Sequence, residues 1–402
     1  MSSNFKGGVV SATPPTITAP TAGEGGSASG IWDIDNVFQE EGGSTWPKPP
    51  IVGQLWMWGR NQNGQLGQGN TTSESSPVQV GSLTDWAKAN SGMTYNLYST
   101  KGDGTGWAWG YNTSGILGLG DTTARSSPVQ IGALTNWSEF SGGIYQAGAV
   151  KTDGTIWVWG VGGSGALGQG DTSSSNSPVQ VGSLTTWLNI AAGYYNYIAT
   201  KTDGTLWSWG KSDVGQLGHN NTTNLSSPNQ VGSLTNWKTV TMGYRSAGGV
   251  KTDGTLWMWG ENSAGELGDG SKTDRSSPVQ IGSLTDWKDV KCGWMHTVAV
   301  KTDGTLWAWG KNNSGQLGQN NTTNRSSPVQ IGSGTTWLEA AAGLYNTSAI
   351  TSDGKLYQCG LNGYGQLGQG DTTSRSTITQ VGSLTTWVRL ITGRHSAGGI
   401  KT

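Results

Sequence analysis

Residues 301–310 read Lys-Thr-Asp-Gly-Thr-Leu-Trp-Ala-Trp-Gly, and the Trp-x-Trp-Gly half of this stretch recurs along the chain. Six copies keep both tryptophans, and in a seventh residues 357–360 read Tyr-Gln-Cys-Gly. The spacing is 51 residues once and 50 residues thereafter. A strict period of this length is typical of solenoids and propellers and outweighs any local signal.

Each unit is predicted to contain four short β-strands. The Asp-Gly pair between two apolar runs, as at residues 153–154, predicts a hairpin in which both residues have positive φ. Residues 178–181 alternate like a strand, and another strand follows a second repeated tryptophan. That second tryptophan is found at Trp86, Trp137, Trp187, Trp237, Trp287, Trp337 and Trp387. Four strands in each of seven units predict an all-β, seven-bladed β-propeller over residues 51–402.

The two ends of the repeated region complement each other. The chain stops at residues 399–402, just before the expected Asp-Gly, and the repeats start at residues 53–56, just after it. A solenoid would need polar capping repeats at both ends. We therefore expect a ring in which strands from the N- and C-terminal ends complete one shared sheet, leaving no open edge.

Four recurring blocks carry a family resemblance. They are Leu-Trp-Ala-Trp-Gly at 306–310, Asn-Ser-Gly-Gln-Leu-Gly at 313–318, Ser-Pro-Val-Gln-Ile at 327–331 and Gly-Trp-Met-His-Thr-Val-Ala at 293–299. With these blocks, residues 53–402 resemble the regulator of chromosome condensation repeat family. The resemblance implies a propeller; it says less about function, because that fold carries exchange factors, enzyme inhibitors and plain binding modules.

Composition indicates a tryptophan-rich core and narrows the function. The chain has 67 Gly and only 33% hydrophobic residues, and 19 of its 22 Trp occupy repeat positions. The net charge is −1, and we expect the repeated lysines to be matched by the nearby aspartates, which argues against nucleic-acid binding. The repeated lysines are Lys151, Lys201, Lys251 and Lys301. Without an apolar run of 18 residues, no membrane insertion is predicted.

Residues with catalytic potential are few. Cys292 and Cys359 are predicted to be buried thiols, His219 a solvated loop residue, and His296 a structural hydrogen-bonding residue. No nucleophile has a base near it in the pattern, and no His or Cys pair has metal-ligand spacing. We therefore predict a non-enzymatic protein that needs no cofactor and no metal.

Residues 1–50 differ from the repeats and are predicted to form an arm. Residues 10–30 are rich in Pro, Thr, Ala, Gly and Ser, and a short helix is predicted near 33–41. The segment resembles a short stretch of bacteriophage tail and appendage proteins, especially marine ones, through Ser-Gly-Ile-Trp at 29–32 and Trp-Pro at 46–47. That resemblance implies a virion component. The helix either anchors the protein in an assembly or docks on its own propeller; the anchor residues would be Trp32, Val37, Phe38 and Trp46.

Repeat positions that vary are free of the demands of the fold, so binding can use them. The most variable window follows a glycine after the second tryptophan and is rich in Tyr, Trp, Met, Arg and His, residues common in binding hot spots. We predict that it lines one face of the ring as a binding surface; the alternative is packing between blades. The candidates are Tyr95, Tyr145, Tyr194, Tyr195, Tyr244, Arg245, Trp294, Met295, His296, Tyr345, Arg394 and His395.

A second variable window follows Trp-x-Trp-Gly and has no compositional bias. We interpret it as solvated loop. Its members are Arg60, Tyr111, Val161, Lys211, Glu261, Lys311 and Leu361.

Two functions from different classes fit these features. The first is a virion appendage or decoration protein, present in several copies, whose arm binds other virion proteins and whose propeller face binds a protein or glycan. The alternative is a cytoplasmic protein-interaction propeller that regulates a partner as an exchange factor or enzyme inhibitor. Every unit keeps 50 or 51 residues, so no inserted wedge of the exchange-factor kind is expected.

Overall fold

The computed structural model describes residues 51–402. They form 28 β-strands in seven four-stranded antiparallel sheets. The predicted arm and helix, with Trp32, Val37, Phe38 and Trp46, lie outside the described residues. The first fourteen strands are β1 (Gln54–Gly59), β2 (Glu74–Gln79), β3 (Trp86–Ser91), β4 (Asn96–Lys101), β5 (Gly106–Gly110), β6 (Arg125–Gln130), β7 (Trp137–Gly142), β8 (Gln146–Lys151), β9 (Ile156–Gly160), β10 (Ser175–Gln180), β11 (Trp187–Ala192), β12 (Asn196–Lys201), β13 (Leu206–Gly210) and β14 (Leu225–Gln230).

The second half of the chain repeats the pattern. Its strands are β15 (Trp237–Met242), β16 (Ser246–Lys251), β17 (Leu256–Gly260), β18 (Arg275–Gln280), β19 (Trp287–Cys292), β20 (His296–Lys301), β21 (Leu306–Gly310), β22 (Arg325–Gln330), β23 (Trp337–Ala342), β24 (Asn346–Thr351), β25 (Leu356–Gly360), β26 (Arg375–Gln380), β27 (Trp387–Thr392) and β28 (Ser396–Lys401). Among residues 51–402 the one helical element is a 3-10 turn at Gly163–Gly165. The prediction of an all-β, seven-bladed propeller is confirmed.

The ring closes in the predicted way. Blades 1 to 6 each take four consecutive strands, starting with β3–β6, and the closing blade has the order β27-β28-β1-β2. In that blade β28 pairs with β1, so that Gln54 lies opposite Lys401 and Leu55 opposite Ile400. No blade therefore has to be completed by another molecule, and the first strands of neighbouring blades face each other around the axis.

The connections between strands lie on two opposite faces of the ring, because each blade is an antiparallel meander. Because the strands alternate in direction, the turn between strands 1 and 2 of a blade lies on the same face as the long loop between strands 3 and 4. We call this side the loop face. The Asp-Gly turns and the links to the next blade lie on the opposite face, where Leu83, Leu184 and Leu234 are among the exposed apolar residues.

The Asp-Gly hairpins exist, but their geometry differs from the prediction. Only the glycine of the pair has positive φ, +75° at Gly154. The Gly154 N–H donates to the Lys151 carbonyl, and the Asp153 carboxylate accepts from both the N–H and the hydroxyl of Thr155. This is a three-residue loop with glycine in the left-handed position, so the two-residue turn with two positive φ values was wrong.

The core lies between the blades and depends on the second indole of Trp-x-Trp-Gly. The Trp209 ring is fully buried, and its Nε1 donates to the Ala166 carbonyl of the preceding blade at 3.1 Å. Six tryptophans make this bond, and Cys359 replaces the seventh with its Sγ 3.5 Å from the Gln316 carbonyl. Each blade is thus joined to its neighbour by a buried hydrogen bond in an aromatic cluster.

The repeated lysines contact tryptophan rings as well as aspartate charges, and Lys301 also forms an ion pair with Asp286 at 3.4 Å. The Lys201 ammonium lies 3.6 Å from the ring centroid of Trp207 and 4.8 Å from that of Trp187. Burial lowers the pKa of Lys201, and the charge of Asp203 opposes that shift. The lysine therefore stacks between two indoles, a cation–π arrangement that the expectation of simple charge matching missed.

Candidate aromatic binding face

The variable window is the turn between strands 1 and 2 of each blade, so it lies on the loop face. Blade 1 has one extra residue there, because the Gly92 N–H donates to the Asn96 carbonyl, whereas the Gly143 N–H of blade 2 donates to the Gln146 carbonyl. This extra residue accounts for the single 51-residue step. Tyr95 consequently takes the place that Tyr145 takes in the next blade.

The window has three positions with different environments. The residue after the glycine and the one following it are half-exposed in most blades, as for Tyr244 and Arg245, whereas the third begins strand 2 and is buried. His296 occupies the third position, is 1% exposed and lies 3.1 Å from the Thr347 hydroxyl. His296 is therefore not part of the exposed surface, and its assignment as a binding residue is corrected to the structural role.

Aromatic rings of neighbouring blades contact each other across the face. The Tyr145 and Tyr195 centroids are 4.9 Å apart, and Tyr194 and Tyr244 are 4.8 Å apart. Tyr244 then stacks on Trp294 at 4.1 Å with an interplanar angle of 5°. The two interpretations of the window are thus compatible, because the same half-exposed rings pack between blades and remain partly open to solvent.

Tyr195 has an unusual backbone. Its φ is +59°, a left-handed conformation that bulky residues rarely adopt, while none of its six counterparts has positive φ. Such strain costs roughly 1–3 kcal/mol and persists where the surroundings fix it. Here its ring is held between Tyr145 and Tyr194.

Two arginines continue the aromatic row. The Arg394 guanidinium lies 5.1 Å from the Tyr95 centroid and 5.9 Å from that of Trp294. Arg60 lies over Tyr95 at 4.6 Å, and its Nη1 donates to the Tyr95 hydroxyl at 2.7 Å. His395 stacks against Tyr95 at 6.1 Å. Rings and guanidinium groups therefore link the closing blade, blade 1 and blade 5 through direct contacts.

The second variable window belongs to the same face. Its members lie in loops, as predicted, but they are partly buried beside the first window rather than fully solvated. Each member donates its backbone N–H to the window carbonyl beside it, as Lys211 does to Tyr195 and Arg60 to His395, both at 2.8 Å. The Lys211 ammonium also lies 4.7 Å from the Tyr194 centroid. Pairing residues outward on both sides of the Asp-Gly turn at 203–204 places Lys211 opposite Tyr195, because the register of the hairpin continues beyond the ends of its two strands.

Acidic groups lie on the blade 3 to blade 4 side. Asp213 forms ion pairs with Lys211 at 3.0 Å and with Arg245. Burial raises the pKa of the nearby Glu261, and Arg245 opposes that shift. Below them, Glu266 is 1% exposed, and burial raises its pKa to about 7. This sector has its cations paired, unlike the sector of Arg60 and Arg394.

Neither thiol is poised for chemistry. Cys292 and Cys359 are buried and unpaired, as predicted, and burial raises the pKa of each to about 12. His219 is half-buried, and its Nε2 lies 2.9 Å from the Ser208 hydroxyl, so it is not the solvated residue expected.

Within residues 51–402 no three His, Cys, Asp or Glu side chains converge as a metal site. No helix in that range is both long and apolar enough to cross a membrane.

The fold and the face define a class of protein, a closed seven-bladed propeller with an aromatic face at one end of the ring. The family follows from the sequence comparison: the Regulator of chromosome condensation (RCC1) repeat matches residues 52–98, 103–150, 153–199, 203–248, 253–300, 303–350 and 353–395. The chain belongs to this family.

Curated relatives match over short segments. Protein RCC2 of Mus musculus is 43% identical over 82 residues, which are 20% of this chain and 16% of the relative. The ultraviolet-B receptor UVR8 of Arabidopsis thaliana is 38% identical over 85 residues, 21% of this chain and 19% of the receptor. The alignments thus span less than a fifth of the length of these relatives.

Solved structures agree over the whole ring. Human WBSCR16 superposes with a TM-score of 0.77 at 18% identity, covering 87% of this chain and 98% of that protein. Prp20p of Saccharomyces cerevisiae gives a TM-score of 0.78 at 17% identity, covering 88% and 93%. At these identities the likeness establishes the fold alone.

Proposed function

We propose that this chain is a non-enzymatic protein-interaction propeller that acts as a cellular regulator, with its aromatic face as the contact surface for a partner protein. This face comprises the exposed window residues, from Tyr95 round to His395, together with the second variable window. The observation that carries the proposal is the row of partly buried Tyr, Trp and Arg side chains that contact one another from blade 2 to blade 5 and from there to the closing blade and blade 1. Such residues supply most hot-spot energy in protein interfaces.

The relatives favour a cellular role over a virion role. The matching proteins include RCC2 proteins of mouse, frog, fish and human and a plant receptor, all of them from cellular organisms. Prp20p has binding properties to Gsp1p and histones, so a protein with this fold has protein partners. The virion hypothesis rests on residues 29–47 alone and gains no support from the comparisons.

A protein partner fits the face better than a glycan. Sugars stack on open ring faces. One face of Trp294 is covered by Tyr244 at 4.1 Å, and Arg394 approaches the same indole at 5.9 Å. One face of this indole is therefore closed to a sugar, which favours a protein surface as the partner.

A non-enzymatic role is part of the proposal. One relative is a probable E3 ubiquitin-protein ligase, HERC3 of Homo sapiens, at 37% identity over 82 residues. The matched part is only 8% of that protein's length, so its activity does not transfer to this chain.

The experiment compares substitutions on the two faces. Full-length protein with Trp294→Ala or Tyr195→Ala serves as bait in extracts of the source organism, and captured proteins are quantified by mass spectrometry. The expected result is loss of specific partners, about 2 kcal/mol of binding per anchor, with an unchanged thermal transition. Leu234→Ala, on the opposite face and 48% exposed, is the matched control and should keep the partners.

A core control separates binding from folding. Trp209→Ala should destabilise the ring by about 3–5 kcal/mol, since that indole is fully buried. Trp207 would be a weaker control because it is only partly buried. The proposal fails if the face variants capture the same proteins as the wild type, or if they unfold as readily as Trp209→Ala.

A further inference from the structure

One sector of the aromatic face is built around two arginines, Arg60 and Arg394, which contact the same tyrosine ring. Arg60 donates to Gln62 and to the Tyr95 hydroxyl, and Arg394 lies against Tyr95 and Trp294. Within residues 51–402 neither guanidinium forms an ion pair, whereas Arg245 on the same face pairs with Asp213. Two cations are therefore held close together through a shared tyrosine without a compensating charge.

Two buried nitrogen atoms in this sector are left without partners in the described part of the chain, and one of them, Arg394 Nε, is always a donor. Arg394 Nε and His395 Nδ1 are both buried atoms with no hydrogen-bond partner among the described residues. An unpaired buried donor costs roughly 1–3 kcal/mol, so a ligand that accepts from it recovers that energy. The surrounding field is positive, since burial first and then Arg394 and Arg60 lower the pKa of His395 to about 4.

We propose that Arg60 and Arg394 form an anion subsite of the aromatic face, which takes a side-chain carboxylate from an acidic segment of the partner protein. This inference rests on the proposed function and names the chemistry of that partner. The guanidinium fork matches a planar carboxylate, and the rings of Tyr95, Trp294 and Tyr364 flank it with apolar surface.

A peptide carboxylate is favoured over nucleic-acid phosphate. Nucleic-acid binding depends on many cations spread along a track, each releasing a counterion. Here the net charge is −1, and Lys211 and Arg245 on the same face are already paired with Asp213. Two free arginines between aromatic rings suit one or two acidic side chains.

Histidine signals offer a direct assay, because the chain has three histidines in distinct environments. Tag-free, full-length protein with isotope-labelled histidine is titrated at pH 7 and constant ionic strength, and the ring signals are followed by NMR. The probes are acetyl-tetraglutamate amide, acetyl-tetraglutamine amide and sodium sulfate. His395 reports on the subsite, and buried His296 reports on the fold.

We expect tetraglutamate to shift the His395 signals saturably, with no response to tetraglutamine and weaker binding of sulfate. Arg394→Gln and Arg60→Gln should each weaken the response about tenfold or more, while Arg125→Gln, whose guanidinium is paired with Asp121 and which belongs to neither variable window, leaves it unchanged. Unchanged His296 signals confirm that each variant is folded. Two independent arginine variants keep the test decisive if one of them misfolds.

Three results would overturn the inference. They are an unresponsive His395, a response that survives both arginine substitutions, and sulfate binding as tightly as tetraglutamate, which would mark a free-anion site. These results are separate from the capture experiment. If His395 does not respond but Trp294→Ala still loses its partners, only the subsite is refuted; if capture is unchanged, the proposed function fails whatever His395 does.

Discussion

Replacing Glu266 by glutamine should stabilise the propeller at alkaline pH and leave it unchanged in mild acid. Glu266 occupies the repeat position that Gln216 and Gln316 occupy in neighbouring blades. Its Oε2 accepts from the Ala264 N–H at 2.8 Å, as the Gln316 Oε1 accepts from the Ser314 N–H at 2.9 Å. The site therefore accepts a neutral group through this one hydrogen bond, while the Gln316 Nε2 is buried without a partner among the described residues.

The magnitude follows from the pKa of Glu266, which rises from 4.5 to about 7, mainly through burial. A folded-state pKa above the unfolded value means that the folded protein holds the proton more tightly. Stability is then lost as pH rises from about 4.5 to about 7 and stays lower above that range. About 2.5 pH units at 1.36 kcal/mol each amount to roughly 3 kcal/mol at pH 8.

The assay is urea unfolding, monitored by tryptophan fluorescence, at pH 5 and pH 8. Glu266→Gln should gain about 3 kcal/mol at pH 8 and little at pH 5. The mirror-image control, Gln316→Glu, should lose a similar amount at pH 8 only. An equal effect of Glu266→Gln at both pH values, or a loss at pH 8, would refute the reasoning.

Two further predictions concern the ends of the chain. Deleting residues 391–402 removes β28, which bridges β27 and β1, together with the last two residues of β27. The truncated protein should therefore lack the single cooperative thermal transition expected of the closed ring in calorimetry. A truncated protein with the full transition would contradict closure by that strand. Deleting residues 1–50 should leave a folded ring with the same transition, because β1 begins at Gln54; unfolding of that variant would show that residues 1–50 are part of the propeller.

The sequence predicted most of the fold and about half of the face. The period, the four strands per unit and the pairing of residues 54–59 with the C-terminal strand were all predictable, because repeated local patterns encode them. The first window was also found from its variability. The position of the second window on this face was missed, because its residues share no compositional bias. Only the hairpin register shows that Arg60 and Lys211 lie beside residues of the first window. His296 was misassigned because a one-residue difference separates an exposed turn from a buried strand.

By itself, the sequence determined the ring, since repeated units must bury the same faces against their neighbours and the complementary ends at residues 53–56 and 399–402 complete one sheet. Tertiary structure alone decided which side chains meet between blades. Arg60 and Arg394 lie 334 positions apart, yet both contact the Tyr95 ring after closure. Glu266 likewise has a carboxyl group where its counterparts have an amide, and burial, with smaller effects of Glu261 and Asp274, raises its pKa to about 7. Such contacts depend on the spacing between blades and on exclusion of water, and no local pattern of residues encodes either.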